Sequence, residues 1–121
     1  LAPFDKYAHY IKAVQAPEVD CEFARDTFRQ LRKRKPSVLR EDFCGTFAIC
    51  CEWVKLNKNH KSIGIDLDPE PLSYGRENYL AKLKPEQQNR VSLYQESVLT
   101  ASVPKADIVA ALNFSFYFFF W

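Results

Sequence analysis

Short apolar runs alternate with amphipathic stretches along most of this chain, and that alternation restricts its folding more than any other feature. Ser37-Val38-Leu39, Ser62-Ile63-Gly64-Ile65, Val91-Ser92-Leu93-Tyr94 and Ile108-Val109-Ala110-Ala111-Leu112 have the length and branching of strands. Between the first two, Thr46 to Leu56 is apolar nearly all round, as a helix packed directly on a sheet would be. Between the second and third, Asp68 is a good cap and Pro69 a good first residue for a helix running through Leu72, Tyr79, Leu80 and Leu83. Gly75 weakens that helix by ~1 kcal/mol. Strands alternating with helices predict an α/β fold, a doubly wound parallel sheet with helices on both faces.

Two helices are expected ahead of the first strand. Tyr7, Tyr10, Ile11 and Val14 share one face of a short helix ending before Pro17. Asp20 then caps a second, with Phe23, Ala24, Thr27, Phe28 and Leu31 as its apolar stripe, stopping at Pro36. The organisation read from this is residues 1–36 as N-terminal helices and 37–121 as the sheet core. Arg32-Lys33-Arg34-Lys35 falls at the end of the second helix, where cations complement exposed carbonyls; it leaves RNA open as a partner without indicating it.

Composition removes several functions. The three glycines, Gly45, Gly64 and Gly75, are too far apart for a Walker A loop or a GxGxxG turn, so a nicotinamide-dependent dehydrogenase is disfavoured. Four cysteines without a C-x-x-C pair, and two distant histidines, argue against a zinc site or a disulfide framework; buried thiols in a reducing, cytoplasmic setting are expected. A net charge of +2 does not by itself argue for nucleic acid. The first residues lack the basic start and apolar stretch of a signal peptide. The apolar run Ile108–Trp121 has 14 residues, against the ~20 that a spanning helix needs.

In an open parallel sheet, ligands bind outside the carboxyl ends of the strands. Here the first strand runs straight into Arg40-Glu41-Asp42, charges whose desolvation needs a ligand or partners to offset it. We expect the triplet to face the crevice, with an Arg40 pair to Glu41 or Asp42 as the structural alternative. The second strand ends in Asp66-Leu67-Asp68; a carboxylate at that place can accept both hydroxyls of a ribose, and Asp66 is favoured because Asp68 is explained as the helix cap.

The strings Val38-Leu39-Arg40-Glu41-Asp42-Phe43-Cys44-Gly45-Thr46 and Gly64-Ile65-Asp66-Leu67-Asp68-Pro69-Glu70 resemble the first two motifs of class I S-adenosylmethionine-dependent methyltransferases, with an unusual first motif. The likeness spans roughly residues 37 to 117. Laid on the usual acid-x-Gly-x-Gly-x-Gly loop, Glu41 takes the acid, Phe43, Gly45 and Phe47 the three glycine places, and a one-residue shift would exchange Asp42 for Glu41. The resemblance implies S-adenosylmethionine as cofactor, with Glu41, Asp42, Phe43, Cys44 and Gly45 near its methionyl part and Asp66 on its ribose. Ser97 and Val98 would lie near the adenine, with Leu67 over the ring's other face and Asn113 beside the transferable methyl. Asp107 resembles the acid that opens the fourth strand. Tyr7 and Tyr10 would form a lid or pack in the core.

Methyl transfer from a sulfonium needs positioning in a dry site, with no metal and no triad, so no catalytic residue is assigned. The acceptor is unidentified. An inactive, methyltransferase-like interaction module is the alternative, motivated by Phe43, Phe47 and the aromatic C-terminus. Because such enzymes have a seven-stranded sheet and only four strands are read here, truncation after the fourth is expected. It would leave Ile108–Leu112 as an edge, promote self-association and leave transferase activity weak.

Overall fold

The computed structural model of the protein describes residues 16–111 and 117–120. The predicted helix at Tyr7–Val14, the lid or core role of Tyr7 and Tyr10, and Asn113 lie outside them.

Helix α1 spans Pro17–Arg32, followed by strand β1 (Val38–Asp42), helix α2 (Ala48–Leu56), strand β2 (Lys61–Ile65) and helix α3 (Pro69–Asn78). A 3-10 turn at Leu80–Lys82, the short helix α4 (Pro85–Gln88) and strands β3 (Val91–Tyr94), β4 (Ile108–Ala111) and β5 (Tyr117–Phe120) complete the order. The sheet runs β3-β2-β1-β4-β5. β1 is parallel to both β2 and β4, and β2 to β3, with Leu39 opposite Ser62 and Ile108, and Glu41 opposite Gly64 and Ala110. The four strands read from the sequence therefore form a Rossmann-like parallel sheet.

β5 corrects the expectation that β4 is an open edge. It pairs antiparallel with β4, Ile108 opposite Phe120 and Ala111 opposite Tyr117. The link 112–116 is shorter than the dozen or more residues a parallel crossover needs, so only the antiparallel direction is open to it. Phe118 and Phe120 pack against the core, Phe118 lies 6.1 Å from the Phe23 ring, and Arg32 donates to the Phe120 carbonyl at 3.0 Å.

α1 starts earlier than predicted, at Pro17 after Ala16, so Asp20 is a buried first-turn residue and not the cap. Its buried face is Cys21, Ala24 and Phe28; Phe23 and Leu31, expected in the stripe, are exposed. The helix ends where Lys33 turns left-handed and its N–H bonds back to the Arg29 carbonyl. β1 is longer than predicted and carries the charged triplet inside the sheet.

Cys21, Ala24 and Phe28 of α1 join Ile49 and Trp53 of α2 over Leu39, Ile108 and Ala110. A second cluster joins Phe47, Cys50, Cys51 and Val54 to Leu72 and Leu83, with Val91 and Leu93 beneath. Strand side chains alternate between faces, so α1, α2 and α3 all gather on the face carrying Leu39, Glu41 and Leu93. On the other face Ile63, Ile65 and Val109 are buried too.

Candidate functional site at the strand ends

The carboxyl ends of β1, β2 and β3 stand level: Asp42 is opposite Ile65, which is opposite Tyr94. Two further bonds carry the alignment past the strands, Cys44 N–H to the Ile65 carbonyl at 3.0 Å and Asp66 N–H to the Tyr94 carbonyl at 3.1 Å. The loops that begin at residues 43, 66 and 95 thus leave the sheet side by side.

The loop between β1 and α2 carries the most distinctive geometry. Phe43, Gly45 and Phe47 have φ of 54°, 56° and 46°, all in the left-handed region. These are the three places where the resembled motif has glycine. Each non-glycine residue there costs about 1–2 kcal/mol. Phe47 is fully buried, which offsets its strain by about 1.5–3 kcal/mol, whereas Phe43 is 42% exposed. Phe47 N–H donates to the Cys44 carbonyl at 2.8 Å, closing a tight turn whose first central residue is Gly45. A positive φ at that position is where turns of the II′ kind take glycine, so the glycine retained in the sequence is the one with least steric alternative.

Asp66 ties the neighbouring loops together. One carboxylate oxygen accepts from the Gly45 N–H at 2.8 Å and the other from the Asp68 N–H at 2.9 Å. Each oxygen keeps a second lone pair for a further donor, and the residue is half-buried. Asp68 caps α3, accepting from the Glu70 N–H at 3.1 Å. Leu67, between them, is 63% exposed.

The charged triplet divides between the two faces of the sheet. Arg40 and Asp42 point to one side and pair with each other, Nε to Oδ1 at 2.8 Å and a second nitrogen to Oδ2 at 3.2 Å. Glu41 points to the helix side, where its Oε1 accepts the Cys50 N–H at 3.3 Å, in the first turn of α2. Phe47 offers α2 no side-chain cap, so Glu41 supplies one from the adjacent strand. Burial pushes the Glu41 carboxyl up to about 8, the hydrogen bonds from Cys50 opposing this and the Asp66 and Asp42 charges adding to it. Cys44 is buried above Gly64, where an added Cβ would lie 3.0 Å from its sulfur.

After β3, Ser97 closes a turn: its carbonyl accepts from Thr100 and Ala101, and its hydroxyl oxygen from the Leu99 N–H at 3.2 Å. Ser97 and Val98 are half-buried. The remaining cysteines are buried like Cys44, and burial pushes their thiols up, that of Cys51 to about 12, so none is poised as a nucleophile. Among the described residues, no group of three His, Cys, Asp or Glu side chains can hold a metal ion, and no helix is long and apolar enough to cross a membrane. A groove of about 280 Å³ runs along the α2 face bearing Ala48, Cys51, Glu52 and Lys55, and takes in none of the predicted site residues.

The sheet's other end is a structural clamp. Asp107 accepts the Ser37 and Val38 N–H groups at 2.7 and 3.0 Å and Arg34 at 2.9 Å, while Arg34 lies 4.8 Å over the Phe28 ring. Two of the four basic-run residues, Arg32 and Arg34, thus hold parts of the fold together. Arg90 donates to the carbonyls of Val54, Asn57 and His60 and pairs with Glu86.

No protein-family model and no curated protein matches the chain. Solved structures do. The plantazolicin methyltransferase BpumL, in complex with a triazolic desmethylPZN analog and SAH, superposes with a TM-score of 0.67 at 13% identity, over 87% of this chain and 39% of that one. CalS10, an amino pentose methyltransferase from Micromonospora echinaspora solved with SAM bound, gives 0.66 at 20% identity over 93% of this chain and 43% of its own. The glycopeptide N-methyltransferase MtfA, complexed with (S)-adenosyl-L-methionine, gives 0.58 at 16% identity over 76% and 39%. The chain shares its fold with these methyltransferases. It spans about two fifths of the length of these structures.

Proposed function

We propose that this chain binds S-adenosylmethionine at the carboxyl ends of β1 to β3 and belongs to an enzyme that transfers the cofactor's methyl group to an acceptor not yet identified. The observation that carries the reading is the loop 43–47. It keeps a left-handed backbone at all three glycine places of the resembled motif, although two are phenylalanine and strained. Strain of this kind persists where the surroundings over-determine a conformation, which is common at ligand sites. The fold supports the same reading, since BpumL, CalS10 and MtfA were solved with SAH or SAM.

The residues present fit such a ligand. Asp66 retains acceptor capacity on both oxygens for a pair of ribose hydroxyls, and its bond to the Gly45 N–H fixes the turn beside it. Leu67 offers an exposed apolar side chain next to Asp66, and Ser97 and Val98 stand on the next loop, in the place the resemblance gives to the adenine. Gly45 leaves the backbone open to approach at the centre of the loop. When bound, S-adenosylmethionine would supply an electrophilic methyl on a sulfonium. The chain's part is then to hold and orient the donor and exclude water, work that calls for no general base. We place the cofactor core within residues 37–121, assign 1–36 to the preceding helical segment, and expect a cytoplasmic enzyme.

Calorimetric titration with S-adenosylmethionine tests the reading. Asp66→Ala should weaken binding by ~1.5–3 kcal/mol, the range for a hydrogen bond to a charged group. No heat of binding to the folded wild-type chain would favour an interaction module of the same fold. Unchanged affinity in Asp66→Ala would remove the ribose from that residue.

A further inference from the structure

The loop that carries the proposed site is wedged against α3 at one residue. A Cβ built on Gly75 would lie 2.3 Å from the Thr46 carbonyl oxygen and 2.6 and 2.9 Å from the Cε1 and Cζ atoms of Phe47. Contacts under 3.0 Å do not occur for real Cβ atoms, and one of these partners is backbone. Gly75 lies mid-helix, where glycine costs ~1 kcal/mol relative to alanine. Phe47, on the other side of the contact, is fully buried at a left-handed φ of 46°. Both residues are thus in locally unfavourable places, and they meet.

We propose that Gly75 and Phe47 form a steric latch that sets the position of the turn 44–47, and through it the Gly45 amide that Asp66 holds. This rests on reading the loop as a cofactor site. The loop is attached to α3 twice. Asp66 bridges the Gly45 amide to Asp68, which caps the helix start, and the Gly75–Phe47 contact seats the loop two turns further along. In a glycine-rich loop the backbone itself supplies close approach and has little to stop it moving. Here the Phe47 ring fills the space between loop and helix and fixes the turn by packing. Both are positioning residues, since neither Gly75 nor the buried Phe47 ring presents a polar group to a ligand.

Titration with S-adenosylhomocysteine, with backbone amide exchange followed in parallel, tests the latch. Gly75→Ala must push the loop away from α3. It should weaken S-adenosylhomocysteine about tenfold, the effect of a lost or misplaced hydrogen bond to a charged group, and speed exchange of the Gly45 amide while leaving β2 amides unchanged. Adding Phe47→Leu to that variant shortens the ring and should recover part of the affinity. Phe47→Leu alone introduces no clash and keeps the test open if Gly75→Ala does not fold; it should loosen binding by a few-fold and speed Gly45 exchange. Affinity and exchange equal to wild type in either single variant would overturn the latch. If the wild-type chain does not bind S-adenosylhomocysteine, the cofactor reading fails, and Gly45 exchange alone decides the latch: faster in Gly75→Ala supports it, unchanged overturns it.

Discussion

The two ends of the parallel sheet are both rich in charge but use it differently. At the amino end, Asp107 spends its carboxylate on two β1-side amides and Arg34, and Arg90 covers three carbonyls around the end of α2. The left-handed residue there, Lys33, ends a helix, where such a turn is common. At the carboxyl end, two phenylalanines hold left-handed backbone, Glu41 is buried with its carboxyl pushed up to about 8, and Asp66 keeps acceptor capacity beyond its two loop bonds. Charge that is fully paired stabilises the fold. Charge held beside strain, with capacity left over, is what a binding site requires.

The largest expected effect is a pH dependence that Glu41 sets at the carboxyl end. Glu41 has a folded value of about 8 against an ordinary 4.5, so the folded state keeps a proton that the unfolded chain releases. Its contribution is fully present below about 4.5 and is lost as pH rises toward 8, a fall on the order of 3–5 kcal/mol. Glu41→Gln should flatten that part of the stability profile and leave the protein more stable than wild type above pH 8. Thermal melts across the range measure it, and an unchanged slope in the variant would mean that Glu41 is not the titrating group.

At the amino end, Asp107→Asn should cost ~2 kcal/mol, because one carboxylate serves three donors and the amide can accept for only part of them. The sign with pH is opposite to that of Glu41. Burial would raise the Asp107 carboxyl, but the Ser37 and Val38 amides and Arg34 hold it below the usual value, so its contribution is present above about 3.8 and lost in acid. Asp107→Asn should also leave cofactor affinity per folded molecule unchanged; a loss of affinity matching that of Asp66→Ala would mean that both ends of the sheet serve the ligand.

Strand and helix identities were legible because burial leaves a periodic trace in sequence. β3 runs over the residues predicted, and Asp68 caps α3 as expected. β1 looks short in sequence because Arg40-Glu41-Asp42 resembles a strand ending; it continues because Arg40 and Asp42 neutralise each other on one face and Glu41 finds the α2 amide on the other. The exposed side of α1 is hard to see in sequence since Phe23 and Leu31 are apolar, yet Cys21 and Asp20 occupy the buried side. In the candidate site the residue types were visible and the connections were not. Nothing local marks Asp66 as the acceptor for Gly45, or Gly75 as the residue facing Phe47, because both relations join segments brought together only by the β1–β2 pairing. The antiparallel β5 was missed because a continuous aromatic run has no strand period.

The smallest effect is expected at Phe43, which shares its residue type and nearly its backbone angle with Phe47. Phe43 and Phe47 have φ of 54° and 46°, so replacing either by glycine relieves about 1–2 kcal/mol of left-handed strain. Glycine also raises the conformational entropy of the unfolded chain, which takes back about 0.5–1 kcal/mol. Burial then decides the sign. Phe47 is fully enclosed, and deleting a buried phenylalanine side chain costs about 3–5 kcal/mol, so Phe47→Gly should destabilise by ~3 kcal/mol. Phe43 is 42% exposed and has less packing to lose, which about balances the strain relieved, so Phe43→Gly should be neutral to within ~1 kcal/mol. Chemical denaturation of the two variants side by side measures the difference. If Phe43→Gly destabilises as much as Phe47→Gly, position 43 is held by packing and not strained for a ligand, and only position 47 remains as a strained residue of the loop.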